Sequence, residues 1–184
     1  MIKHALSLML IAAPVVAAPD PALAELGSSP SLGTAEGRCR TGERGPSFMI
    51  NVVGLKDRRG TVKVELYPAN SADFLADDNK LIAAGKVFRR ALIQVPRTGP
   101  VELCIRAPAA GEWALSLLHD RDGDGRFNKS MDGDGVGFPG NPTRLGPFKP
   151  NLRWGLATAG PGPTAVTVRM LYRTGLFSAT PLKS

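Results

Sequence analysis

The sequence predicts an all-β fold, an immunoglobulin-like antiparallel β-sandwich of about seven strands with one long Asp/Gly-rich loop. Glycine and proline are frequent, with 21 and 16 residues among 184, and both residue types interrupt helices. Several short segments alternate apolar and polar residues at the period of a β-strand. Hydrophobic residues make up 43% of the chain, which is enough for one core and excludes a wholly disordered protein.

The first 24 residues are predicted to be a signal peptide. A positive start that contains Lys3 precedes an uncharged apolar run at 5–18, which is shorter than the ~20 residues that span a bilayer. Ala22-Leu23-Ala24 has the form of a signal-peptidase site, so we expect cleavage after Ala24. The protein is therefore expected to be periplasmic or secreted, with no transmembrane segment in the mature chain. An uncleaved anchor is the alternative.

Residues 25–46 are rich in Gly, Ser, Pro and Thr, and we predict a flexible N-terminal arm that becomes ordered near Cys39. The chain has two cysteines, Cys39 and Cys104, and an even pair in an exported protein is typical of a disulfide. Alternation along 100–107 puts Cys104 on the face opposite Leu103 and Ile105, so the bond would hold the arm across an outer face or edge. Two free thiols are the alternative.

The β-sandwich domain is predicted over residues 47–175, with 176–184 as a C-terminal tail. The alternation is clearest where Val62, Val64 and Leu66 face inward. The predicted strands are 47–55, 61–67, 86–95, 100–107, 112–119 and 163–173, with 152–158 as a further candidate. One short helix is predicted within 73–85, with Asp73 as its cap and Gly85 as its stop. No linker divides this region, so we expect a single domain.

An acidic loop follows His119. Asp120, Asp122 and Asp124 alternate before Gly125, as in the first half of a calcium-binding loop. Position twelve of such a loop, where a bidentate Glu is expected, is Met131, so we expect a later Asp to complete the ligand set and the affinity to be low. Oxygen ligands favour calcium over zinc or copper. The predicted ligands are Asp120, Asp122, Asp124, the carbonyl group of Arg126, Asn128, Asp132 and Asp134.

The structural alternative to a calcium loop is a pair of Asp-Gly turns that need no metal, because Asp side chains accept hydrogen bonds from their own turns. Both interpretations explain the composition of the loop, and the sequence leaves both open.

The net charge of +7 and the pI near 9.8 would suggest a nucleic-acid partner in an intracellular protein. The basic residues are scattered along the chain without interleaved aromatic residues, and export separates the protein from nucleic acid. We therefore predict no nucleic-acid partner. An anionic component of the cell envelope and a glycan stay open as partners.

His119 is the single histidine of the mature chain, which excludes a multi-histidine zinc or iron site. Alternation places it at the end of the core-facing row of its strand, where a hydrogen-bonded structural role is expected. Nucleophile-elbow and nucleotide-binding motifs are lacking, so no catalytic or cofactor-binding residue is assigned.

The predicted function is a non-catalytic exported protein with a structural or binding role in the envelope, stabilised by weakly bound calcium. One alternative is a hydrolase that uses His119 and the acidic loop. Another is a glycan-binding module, for which the candidate platform residues are Trp154, Tyr67 and Phe138.

Three motifs together resemble a known family. They are Gly111-Glu112-Trp113-Ala114-Leu115, His119-Asp120-x-Asp122-x-Asp124-Gly125-x-Phe127 and Gly135-x-Gly137-Phe138. This combination resembles the uncharacterised bacterial family called domain of unknown function 2141, and the strand at 166–172 fits as well. The resemblance covers roughly residues 47–173. It implies a small exported β-sandwich protein and no particular activity.

Overall fold

The computed structural model describes residues 33–128, 130, 133–176 and 178–182. The predicted signal peptide and the predicted ligand Asp132 lie outside these residues. The described residues form ten strands and two short helices. The strands are β1 Thr34–Glu36, β2 Ser47–Val53, β3 Thr61–Pro68, β4 Arg89–Gln94, β5 Val101–Arg106, β6 Gly111–Asp120, β7 Gly135–Gly137, β8 Leu156–Ala159, β9 Pro163–Gly175 and β10 Ser178–Pro181. The helices are α1 Asp78–Ala83 and α2 Leu152–Gly155.

Hydrogen bonds join the strands into one sheet in the order β1-β4-β3-β6-β7-β9-β2-β5, with β10 paired to β9 and β8 paired to β6. This sheet curves into a nearly closed barrel, which confirms the all-β class. The immunoglobulin-like sandwich is not confirmed, because β9 links the two sides of the molecule. Its first half pairs with β2 in parallel, whereas its second half pairs with β7 and β10.

The N-terminal arm fills the gap between the end strands β4 and β5. Strand β1 pairs with β4 in parallel, and the Gly37 carbonyl group accepts a hydrogen bond of 2.7 Å from the Cys104 N–H of β5. Arg89 adds a second link between the two strands by donating to the carbonyl oxygen of Arg106 at 2.9 Å. Cys39 and Cys104 form the predicted disulfide, with their Cα atoms 4.9 Å apart. The arm therefore closes the barrel and is locked there covalently.

The barrel interior is the main hydrophobic core, and it is built from the inward-facing residues of the alternating strands. Val62, Val64 and Leu66 of β3 are all fully buried in it, as the alternation predicts. Leu103 and Ile105 of β5 lie in the same core. Cys104 faces the other way, toward the arm.

A second apolar cluster covers part of the outer face of the barrel. Phe74 lies at its centre and makes edge-to-face contacts with Tyr67 and with Phe138. Leu81 of α1 and Leu145 complete the covering layer. Some outward-facing side chains are thus buried as well.

Several local features differ from the predictions. Helix α1 is capped by Asp77, whose carboxylate accepts the Lys80 N–H, and Asp73 forms an ion pair with Lys86 instead. The predicted strand at 152–158 is helix α2 followed by β8, because the Asn151 side chain caps a helical turn. Strands β1 and β10 lie outside the range 47–175 and still pair with the sheet.

Neither helix within the described ranges has the length and apolar composition of a membrane span.

Candidate metal site

The acidic loop is an excursion from an antiparallel pair of strands, and this explains which carboxylates meet. His119 near the end of β6 is the register partner of Gly135 at the start of β7. The loop therefore leaves and re-enters the sheet at the same place. Asp120 and Asp134, which flank that pair, come together although fourteen positions separate them along the chain.

Asp120 is almost fully buried and organises the first turn of the loop. One carboxylate oxygen accepts the N–H of Gly123 and the other accepts the N–H of Gly125, both at 2.8 Å. Gly123 and Gly125 have φ values of +78° and +76°, a region that glycine adopts without steric strain. Lys63 of β3 also donates to the Gly125 carbonyl group at 3.2 Å. The spacing of Asp and Gly thus produces a compact turn anchored to the barrel.

Asp134 organises the second half of the loop in the same way. Its two carboxylate oxygens accept the N–H groups of Arg121 and Asn128, each at 2.8 Å. The Arg121 side chain donates to the Gly133 carbonyl group at 3.0 Å and to one carboxylate oxygen of Asp57 through two nitrogen atoms. The positive charge of Arg121 is therefore paired with Asp57.

The burial and charges around the loop shift the pKa values of its carboxyl groups. Burial raises the pKa of Asp120 above its usual value; hydrogen bonds from Gly125 and Gly123 oppose this, and the charge of Asp134 adds to it. Burial also favours a higher pKa for Asp57, but the hydrogen bonds from Arg121 and Arg59, together with the charge of Arg121, outweigh it and hold that pKa well below its usual range. The negative charges of the buried carboxylates Asp120 and Asp134 therefore repel each other.

Asp122 is the third member of the cluster. One ligand oxygen from each of Asp120, Asp122 and Asp134 lies within 4.8 Å of the others. Asp122 is exposed, and its carboxylate receives long hydrogen bonds from the Asp124 N–H at 3.3 Å and the Asn128 side chain at 3.4 Å. The hydrogen bond from the Asp124 N–H is the main cause that lowers the pKa of Asp122.

The other predicted ligands are arranged differently. Asp124 lies outside the cluster, and its carboxylate accepts the Arg126 N–H at 2.7 Å. The side-chain oxygen of Asn128 accepts the Ser130 N–H at 2.9 Å. Among the residues that the structure describes, Asp134 is the later Asp that joins the cluster, as one of the two expected candidates. The pairing of β6 with β7 brings Asp134 to the cluster. The number of positions between Asp120 and Asp134 does not by itself show that the two carboxylates meet.

His119 is a fully buried part of the framework behind the cluster. Its Nε2 lies 2.8 Å from the Arg59 carbonyl oxygen and its Nδ1 lies 2.6 Å from the Tyr172 hydroxyl group. A carbonyl oxygen only accepts, so the network assigns the proton to Nε2 and makes Tyr172 the donor to Nδ1. The Tyr172 oxygen in turn accepts the Lys56 N–H at 2.9 Å. Burial lowers the pKa of His119, so a neutral, hydrogen-bonded histidine occupies the edge of the core, as predicted.

The aromatic residues considered for glycan stacking do not form an exposed platform. Tyr67 and Phe138 are 3% and 2% exposed and belong to the outer apolar cluster. Trp154 is half-buried and stacks against the guanidinium group of Arg153, 4.4 Å from the ring centre. The position of two of the three rings under the covering layer removes them from contact with a sugar.

Comparison with known proteins places the chain in one family. Neither the curated proteins nor the solved structures include a match. A family model described as "Uncharacterized protein conserved in bacteria (DUF2141)" matches residues 50–153, a range that runs from β2 through the acidic loop to α2. The predicted resemblance is thereby confirmed, and the chain belongs to the bacterial family DUF2141.

Proposed function

We propose that this chain is an exported, non-catalytic protein of the cell envelope whose acidic loop binds calcium weakly. The observation that carries the proposal is the convergence of three carboxylates within 4.8 Å at one end of the barrel. Two of them, Asp120 and Asp134, are buried. A divalent cation would relieve their mutual repulsion and hold the two ends of the loop together.

The hydrogen bonds within the loop leave room for a cation. A carboxylate has about four lone-pair sites, and the main-chain N–H groups use one on each oxygen of Asp120 and Asp134. These N–H groups also orient the carboxylates before a cation arrives. Hard oxygen donors of this kind suit calcium, and the exposed Asp122 would form the solvent side of the site.

Export is supported by the apolar N-terminal segment that ends in an Ala-x-Ala site and by the disulfide between Cys39 and Cys104. Disulfides persist in oxidising compartments such as the periplasm. The buried, fully hydrogen-bonded state of His119 supports a structural rather than a catalytic role for the one histidine of the mature chain.

The experiment that tests calcium binding is thermal unfolding in millimolar calcium, in magnesium and in chelator. Sites of this class bind at ~10⁻⁴–10⁻³ M, and calcium at about ten times the Kd would add roughly 1.4 kcal/mol to the free energy of unfolding. For a domain of this size the midpoint should rise by about 3–6 °C.

Two loop variants provide a matched comparison. Asp122→Ala should abolish the calcium-dependent rise, because Asp122 belongs to the cluster and is exposed. Asp124→Ala removes the same charge from the same loop, and it should retain the rise because Asp124 lies outside the cluster. Equal midpoints with calcium and chelator, together with no heat on calorimetric titration, would show that the loop is a pair of metal-free turns.

A further inference from the structure

A cavity of about 760 Å³ lies on the outer face of the barrel, between the acidic loop and the segment 145–150. Leu118, Val136 and Leu171, from the adjacent strands β6, β7 and β9, contribute apolar side chains to its lining. Pockets that bind small organic molecules have volumes of about 300–1,000 Å³ and mostly apolar walls. The cavity therefore has the size and the lining of a site for an organic ligand.

The mouth of this cavity carries unusually exposed apolar side chains. Phe127, Phe148 and Leu176 all line it and are 46%, 86% and 71% exposed. Large apolar side chains that cluster at one place on a surface are typical of a binding site. A ligand with a long apolar part would remove these side chains from water.

The carboxylates that line the cavity are already occupied by donors. One oxygen of Glu65 accepts two hydrogen bonds from Arg90, at 2.9 and 2.6 Å, and the other accepts the Tyr67 hydroxyl group at 2.6 Å. Asp134 accepts two main-chain N–H groups of the acidic loop. The charge of Glu65 is thus compensated by Arg90, whereas Asp134 keeps its negative charge at the acidic-loop wall of the cavity.

The cations of the lining favour an anionic ligand. Lys63 lies 3.1 Å from Glu65, but Lys149 is exposed at the rim and its ammonium group donates to the Ser71 carbonyl group at 3.4 Å, which does not neutralise its charge. Arg173 also lines the cavity, but its side chain donates to the main-chain carbonyl groups of Gly175 and Leu176, so the attraction for an anionic ligand comes from Lys149. A negative head group at the rim would meet complementary charge.

We infer that this cavity binds a single-chain amphiphile with a carboxylate head group, such as a long-chain fatty acid. The chain would lie on Leu118, Val136 and Leu171 under the rings of Phe127 and Phe148, and the carboxylate would lie at the rim near Lys149. This site goes beyond the proposed calcium loop and does not require calcium, although the acidic loop forms one of its walls.

The test is calorimetric titration of the folded protein with dodecanoate below its micellar concentration, in chelator so that calcium plays no part. We expect saturable binding of one dodecanoate per chain. Dodecyltrimethylammonium, with the same chain and a positive head, should bind at least roughly threefold more weakly. Absence of saturable dodecanoate binding, or equal binding of the two amphiphiles, would overturn the inference.

Variants locate the binding. Phe148→Ala should weaken dodecanoate binding about tenfold through lost apolar contact, and Lys149→Glu roughly threefold to tenfold through lost attraction. Arg97→Glu makes the same charge change at an exposed residue outside the cavity lining and should bind like the wild type. Val136→Phe should block the cavity; if it does not fold, the two rim variants decide, because their side chains are exposed.

The alternative partner of the exposed apolar rim is a membrane surface. Sedimentation with phosphatidylglycerol vesicles separates the two possibilities. Binding to vesicles without saturable dodecanoate binding would show that the apolar rim is a membrane contact and would overturn the cavity inference. Equal dodecanoate binding by wild type, Phe148→Ala and Lys149→Glu would also overturn it.

Discussion

Removal of the disulfide tests whether the N-terminal arm closes the barrel. The perturbation is the double variant Cys39→Ala/Cys104→Ala, which leaves no free thiol. The bond spans 65 positions of sequence, and the chain-entropy model gives about 4 kcal/mol for a loop of that length. For a domain of this size, a loss of about 4 kcal/mol corresponds to a fall of roughly 8–16 °C in the unfolding midpoint.

The structure also indicates which part of the protein should lose stability when the disulfide is removed. Without the bond, the arm would be held by the short parallel pairing of β1 with β4 and by single hydrogen bonds such as the one from the Arg90 N–H to the Gly33 carbonyl group. The Arg90 amide should therefore exchange with solvent faster in the variant. Amides in the middle of β6, which pairs with strands on both sides, should change only with global stability.

Urea denaturation with hydrogen exchange measures both effects, and reduced wild-type protein is the control that should reproduce the variant. A loss of less than about 1 kcal/mol in the free energy of unfolding would refute the reasoning. An unchanged exchange rate at Arg90 alongside faster exchange in β6 would refute the assignment of the arm as the closing element.

Three further predictions concern the framework and the leader. Tyr172→Phe should lower the free energy of unfolding by about 2 kcal/mol, because it leaves the buried Nδ1 of His119 without its donor; urea denaturation measures this, and the same change in a His119→Phe background should cost less. Burial favours a higher pKa for Glu65, but the charge of Lys63, the Tyr67 hydroxyl group and the charge and hydrogen bond of Arg90 together outweigh it, and the pKa lies below the usual 4.5. A lowered folded-state pKa gives stability that is present above the unfolded-state pKa and lost as the pH falls through the folded-state pKa, so the stability gap between wild type and Glu65→Gln in urea should narrow below pH 4.5. Intact mass of exported protein should show a chain that begins at Glu25, and a mass that includes residues 1–24 would contradict cleavage after Ala24.

The sequence predicts the long strands well because each has a buried face whose period is visible. Val62, Val64 and Leu66 are one such row, and all three are buried in the barrel. Strands without such a row of buried apolar residues are not predicted from the sequence. Strand β1 has three exposed residues, and β7 consists of Val136 between two glycines. Neither strand therefore has a periodic hydrophobic pattern. Both form by pairing with main-chain groups of neighbouring strands.

The carboxylate cluster can likewise be read from the sequence only in part. Spacing along the chain identifies Asp120 and Asp122, which lie two positions apart on one turn. Asp134 is also among the predicted ligands, but its proximity to Asp120 follows from the register of β6 against β7, which is a tertiary property. Spacing likewise suggests Asp124 as a ligand, but its carboxylate faces the Arg126 N–H in the local turn and lies outside the cluster.

The pairing of β2 with β9 has a consequence for how the chain reaches its folded state. These strands lie near opposite ends of the described sequence and pair in parallel over seven residues. Folding slows as contacts join more distant parts of the chain, because the chain loses the entropy of loop closure before it gains the contacts of strand pairing. If the chain is exported as proposed and crosses a channel from its N-terminus, one edge of β2 would pair with β5 first, and its other edge would stay unpaired until β9 emerges. The topology would therefore delay completion of the barrel until β9 is available, so that the proposed export would be nearly finished before the sheet is complete.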